Sequence, residues 1–83
     1  IEQTITISFG LKHIPGILSN VLNIIASYDI NVLTINQTIP LNNIANVMIT
    51  METHPQSKDL NTLLDTLKEL KGMQHLKIIG RSR

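Results

Sequence analysis

The chain has 83 residues, 42% of them apolar, a formal net charge of +1 and no cysteine. That length allows one small domain with a modest core, and the missing cysteine excludes a disulfide scaffold and thiolate chemistry. A near-neutral balance gives no general reason to bind nucleic acid, and no apolar run approaches a membrane span or a signal peptide.

The sequence starts at Ile1 and goes straight into a strand-like pattern, so residues 1–83 are expected to be one domain, the C-terminal part of a longer protein. From Thr4 to Leu11, Ile5, Ile7, Phe9 and Leu11 alternate with Thr4, Thr6, Ser8 and Gly10. A period of two means a strand with one buried face. Lys12-His13-Ile14-Pro15-Gly16 interrupts it. From Gly16 to Tyr28 the period lengthens: Ile17, Leu18, Val21, Leu22, Ile24, Ile25 and Tyr28 form one stripe, opposite Ser19, Asn20, Asn23 and Ser27. That is an amphipathic helix, and its β-branched residues leave much of its stability to packing.

A second strand fits Asn31 to Ile39, with Leu33, Ile35 and Ile39 on one face. Pro40-Leu41-Asn42-Asn43 supplies turn chemistry, and Ala45, Val47, Ile49 and Met51 alternate again as a hairpin partner. Ser57 is the expected N-cap of a second helix, with Asp59 in its first turn. Leu60, Leu63, Leu64, Leu67 and Leu70 form its apolar stripe, and Gly72 is its expected C-cap. Leu76 and Ile78 mark a last strand.

Each helix has one apolar stripe and each strand one apolar face. The simplest burial is an α+β, ferredoxin-like βαββαβ arrangement: a four-stranded antiparallel sheet with two helices on one face. The second and last strands are its expected edges. Such a fold hosts many functions, so function has to come from sites. Base stacking on an open sheet needs aromatics, yet the chain has one Phe, one Tyr and no Trp. Phe9 shares parity with the core residues and Tyr28 lies on a helix. Metal transfer and iron–sulfur binding need cysteines. Acylphosphatase-like chemistry needs an arginine in a strand-to-helix loop, and both arginines, Arg81 and Arg83, end the chain.

The segment His13-Ile14-Pro15-Gly16-Ile17-Leu18 joins the first strand to the first helix. Proline suits the approach to a helix, and glycine lets another backbone or a ligand come close. Free N–H groups at a helix start attract carboxylates, so the loop could hold the carboxylate of a small molecule. The plainer alternative is that Gly16 lets the helix pack tightly on the sheet.

The six-element order, "HIPGIL" at this junction and "INVLTINQTIP" in the next strand together resemble an ACT domain. ACT domains are regulatory modules that bind amino acids and pair to make ligand sites. The family usually shows Asp or Asn, any residue, Pro, Gly, an apolar residue and Leu in the loop. Pro15, Gly16, Ile17 and Leu18 match, and His13 stands where Asp or Asn is usual. Asn31, before Val32, matches the polar residue of several amino-acid-binding members. The stretch "NVLTINQTIPLNNIANVMI" is similar to that of the PheB-type ACT proteins of Gram-positive bacteria. These carry another segment before the ACT domain, and their genes neighbour aromatic amino-acid biosynthesis. The resemblance implies a ligand site formed by His13, Ile14, Pro15, Gly16, Ile17 and Leu18 of one subunit with Asn31, expected from a neighbour.

Of the 13 charged residues, seven basic and six acidic, only Asp29 falls between His13 and Met51. The charge-poor part includes the second strand, an expected edge. Soluble proteins usually blunt an edge with lysine, proline or a bulge, whereas interface cores are depleted of charge. The second strand and first helix are therefore expected to meet another copy of the chain, in a dimer or larger homo-oligomer. A merely neutral solvent face is the alternative.

His13, His54 and His75 never repeat at ligand spacing, and no nucleophile–base pair is suggested, so neither a metal, another cofactor nor catalysis by this segment is expected. The functional expectation is a cytoplasmic, homo-oligomeric regulatory domain that binds a small amino acid. The alternatives are an oligomerisation module without a ligand, and an enzyme whose active site lies in another segment.

Overall fold

Alternation makes Gln3–Lys12 a strand, β1, whose Ile5, Ile7, Phe9 and Leu11 are all buried. The computed structural model describes residues 3–82; Ile1, Glu2 and Arg83 lie outside the described residues. The chain continues through α1 (Ile17–Ser27), β2 (Asn31–Gln37), β3 (Ile44–Thr53), α2 (Leu60–Lys68) and β4 (Met73–Ser82). The sheet is antiparallel, in the order β2-β3-β1-β4, so β2 and β4 are its edges. This is the expected ferredoxin-like order.

β1 and β3 pair in continuous register, with Ile5 opposite Met51, Ile7 opposite Ile49, Phe9 opposite Val47 and Leu11 opposite Ala45. These inward side chains meet Val21 and Ile25 of α1 and Leu63, Leu64 and Leu67 of α2 in one core. Both helices therefore cover the same face of the sheet. The other face carries Thr4, Thr6 and Ser8 beside Met48 and Thr50.

Four details depart from the sequence reading. β2 ends at Gln37, two residues early. A register shift between Val32 and Thr34 places an extra residue in the strand. Its alternation therefore changes side at Leu33. Val32 packs on the core while Leu33 is half exposed, and Ile39 falls outside the strand, 85% exposed. The N-cap of α2 is Asp59, not Ser57: Asp59 Oδ2 accepts from Thr62 N at 3.1 Å and from Thr62 Oγ1 at 3.0 Å. A carboxylate three residues ahead of an open N–H is the stronger cap, because it also meets the positive helix end. Ser57 instead ties the turn before α2 to the end of α1: its Oγ donates to Asp29 O at 2.6 Å and accepts from His54 N at 3.1 Å. Finally, α2 is capped at Glu69, and Gly72 lies in the turn beyond it with φ 94°.

The hairpin between β2 and β3 closes on Asn42 and Asn43, at φ 52° and 65°, with Leu41 and Ile44 exchanging two backbone hydrogen bonds of 3.0 Å. Asparagine tolerates the left-handed region that such a two-residue turn requires. The hairpin tip then holds the loop after β1, because His13 N donates to Asn43 O at 2.8 Å.

Leu67 is fully buried in the last turn of α2. Leu67→Ala is expected to cost about 2–5 kcal/mol through lost burial and the cavity left behind. The exposed Asn61→Ala on the same helix should change stability by less than about 0.5 kcal/mol. Urea denaturation of both variants checks this, and a loss below about 0.5 kcal/mol for Leu67→Ala would show that α2 does not seal the core.

Candidate ligand site

The loop between β1 and α1 is shaped by Gly16, which takes the N-cap position of α1 at φ 85° and ψ −12°. Side chains with a Cβ rarely adopt that conformation. A Cβ built on Gly16 would meet nothing within 4 Å, so backbone conformation, and not tight packing, requires glycine here. Close approach belongs to Gly72. A Cβ there would lie 2.8 Å from Ile17 Cδ1, and Gly72 O accepts from Lys12 N at 3.1 Å. The α2–β4 turn thus presses on the loop from one side while the β2–β3 hairpin holds it from the other.

No side chain caps α1. Ile17 N is occupied by Ile14 O at 3.3 Å and Asn20 N by Gly16 O at 3.1 Å. The Ile17 N–H is therefore already taken within the loop. The first-turn N–H groups left without an intrahelical acceptor are those of Leu18 and Ser19.

Those groups border a cavity of about 150 Å³ between the loop, the start of α1 and the end of β2. Leu11 and Ala45 are its buried base, and Ile14, Ile17 and Leu18 are its apolar sides. Lys12, His13, Ser19 and Gln37 supply its polar atoms. Ile14 is 44% exposed, Ile17 and Leu18 are half-buried, and His13 and Gly16 are exposed. Pro15 lines a second groove of about 270 Å³ on the far side of the loop, with Ile14, Ile17, Asn20, Leu70 and Lys71.

The structure brings His13, Ile14, Gly16, Ile17 and Leu18 to one cavity and leaves Asn31 elsewhere. Asn31 begins β2, is exposed, and stands opposite Glu52, whereas the cavity lies at the other end of that strand. Within one chain the two are separated by the length of β2, about 20 Å at the usual rise of a strand. Gln37 takes the place in the cavity that sequence reasoning did not fill. Its signal was the pairing with Val47, a core-facing residue, which turns Gln37 towards the helix side at an uncovered edge. Among the described residues no three His, Asp or Glu side chains gather as a metal site. No helix there is long and apolar enough to cross a membrane.

Comparison with known proteins agrees with this geometry. The family model described as "ACT domain" matches residues 5–72. A "UPF0735 ACT domain-containing protein" of Carboxydothermus hydrogenoformans is 45% identical over 80 residues, covering 96% of this chain and 55% of that protein. One from Lachnoclostridium phytofermentans is 46% identical over 79 residues, covering 95% and 54%. The chain thus spans about half the length of the curated relatives it matches. Among solved structures, the ACT domain from GTP pyrophosphokinase of Chlorobium tepidum superposes with a TM-score of 0.74 at 18% identity, covering 95% of this chain and 100% of that one. The ligand-free regulatory subunit of aspartate kinase from Thermus thermophilus gives 0.66 at 21% identity, covering 94% and 50%. The βαββαβ order, the Pro15-Gly16 loop and a family match over most of its length together make this chain a member of the ACT domain family.

Proposed function

We propose that this chain is the amino-acid-binding regulatory part of a larger, homo-oligomeric cytoplasmic protein, without catalytic activity of its own. The observation that carries the reading is the size and position of the loop cavity. At about 150 Å³ it is half of what a small-molecule pocket usually offers, about 300 Å³ or more. It also opens beside an unpaired sheet edge. A lone subunit therefore supplies half a site.

The edge is suited to a second copy. β2 carries no formal charge, and its Leu33 and Ile35 are 50% and 39% exposed. If two β2 strands pair antiparallel, the start of one lies beside the end of the other. Asn31 of the partner subunit then approaches Gln37 and the loop. The ligand carboxylate would take the N–H groups of Leu18 and Ser19 at the positive helix end. Its ammonium would take the amide oxygens of Gln37 and of the partner's Asn31. Ile14, Ile17 and Leu18 favour an apolar or aromatic side chain. The resemblance of the β2–β3 segment to PheB-type proteins supports a link to aromatic amino-acid metabolism. The alternative, an assembly module without a ligand, is favoured by His13, which lacks the carboxylate or amide usual at that position.

Thermal melts of the full-length protein with each amino acid test the ligand. At about 100 times its dissociation constant a ligand should stabilise the fold by about 2.7 kcal/mol, seen as a higher midpoint. Gln37→Leu and Asn31→Ala should each reduce that rise while leaving the ligand-free midpoint nearly unchanged, since both residues are exposed. Gly16→Asn keeps a residue that tolerates positive φ and puts a side chain at the cavity mouth, so it should abolish the response without unfolding the domain. No shift with any amino acid would leave the assembly reading.

Sedimentation velocity tests the pairing. Leu33→Lys places a charge on the edge and should shift the protein towards single chains. Full-length protein that sediments as a monomer at high concentration would defeat the shared site.

A further inference from the structure

We infer that the helix-free face of the sheet is a second self-association surface, on which two β2-paired dimers stack into a tetramer. This rests on the β2 pairing proposed above and concerns a different surface of the chain.

The face is free of charge where it is widest. One row across the strands is Asn36, Met48 and Ser8, and the next is Thr34, Thr50 and Thr6. Among the described residues formal charge lies towards the perimeter, at Glu52 near one end, at Lys12 near the other and at Lys77 on the edge strand β4, opposite Ser8. A solvated surface usually carries about a quarter to a third of charged residues, whereas interface cores lose them and keep a polar rim. Some of the hydroxyls on this face already have partners. Thr6 Oγ1 and Thr50 Oγ1 lie 3.0 Å apart, and Thr38 Oγ1 accepts from Asn46 N at 3.0 Å. Covering them leaves fewer groups to be satisfied than a face of free hydroxyls would.

The relief of the face is self-complementary. Met48 is 42% exposed near its centre. Beside it lies a hollow of about 380 Å³, lined by Ser8, Asn36, Gln37, Thr38, Asn46 and Met48 itself. A projection next to a hollow on one surface is what a two-fold contact uses twice, each copy filling the other. Methionine, unbranched and polarizable, adapts to such a fit and is enriched at interfaces.

Size decides which species stacks. Four strands about 4.8 Å apart and about seven residues long present roughly 450 Å² per chain, well below the ~800 Å² per partner of a stable interface. Two chains joined along β2 present about 900 Å² as one continuous surface, which reaches it. Stacking is therefore expected of dimers and not of monomers.

The test is sedimentation velocity on the full-length protein across a wide concentration range, with peroxide oxidation of the methionines read by mass spectrometry. The expected result is a four-chain species that becomes two chains with Met48→Glu and stays four with Met48→Leu, far-UV circular dichroism being unchanged in both. Met48 should oxidise slowly in the tetramer and faster on dilution to the dimer. A two-chain species at every concentration overturns the inference while leaving the β2 pairing intact. If Met48 is nevertheless protected in that dimer, another segment of the full-length protein covers the face. A Met48→Glu protein that keeps four chains also overturns it, and a monomer overturns both this inference and the β2 pairing.

Discussion

The antiparallel pairing of β1 with β3 is the constraint on which everything else in this domain depends. Ten residues of β1 are matched to ten of β3, and every buried side chain along them is apolar. Because the alternation has a period of two, a slip of one residue would turn Ile5, Ile7, Phe9 and Leu11 outward together. That penalty fixes where β1 stops, and hence where the loop begins. The loop then meets the β2–β3 hairpin at Asn43 and the α2–β4 turn at Gly72 because both lie at that same end of the sheet. The candidate site is thus placed by core packing, and its own residues need only shape it.

Shape and charge at the edge follow a common pattern. The half of the chain that builds the loop, α1 and the hairpin is almost free of charge, while the stretch from Glu52 onward carries ten of the 13 charged residues. The two edges differ accordingly. β4 is irregular, with register shifts on both sides of Ile78 and His75 at φ 54°, and it bears Lys77. Bulges and lysine are devices that keep an edge single. β2 has a bulge at Leu33 but neither lysine nor proline within it. An edge left open next to an incomplete cavity joins assembly and ligand binding in one place.

Periodicity made most of this legible from the sequence. The six elements, the buried faces of β1 and β3 and the Leu60–Leu70 stripe follow from spacing alone, because those segments sit deep in the core. Legibility fails where side chains are not forced inward. In β2 the bulge at Leu33 leaves no mark in composition, so Leu33 and Ile39 read as one face with Ile35 when they are not. Ser57 and Asp59 are both cap-forming residues on paper; the carboxylate of Asp59 is the stronger cap, and Ser57 is engaged with Asp29. Gly16 and Gly72 both have positive φ and only Gly72 is closely packed, a division the sequence does not show because both demands select glycine. Gln37 was missed because a lone polar residue near a strand end carries no periodic signal. Asn31 was read correctly as a strand start, but its distance from the loop becomes visible only once the direction of β2 is fixed.

The corner where α1 meets α2 has an optical consequence. Tyr28 is the only tyrosine and there is no tryptophan. Its hydroxyl lies 3.1 Å from Thr66 Oγ1, and Lys58 Nζ stands 5.9 Å from the ring centroid. All tyrosine emission from this domain therefore arises at the junction of the two helices, at the end of α1 opposite the loop. A change in that emission reports loosening of the corner, and an event in the cavity reaches it only by being transmitted along the whole of α1.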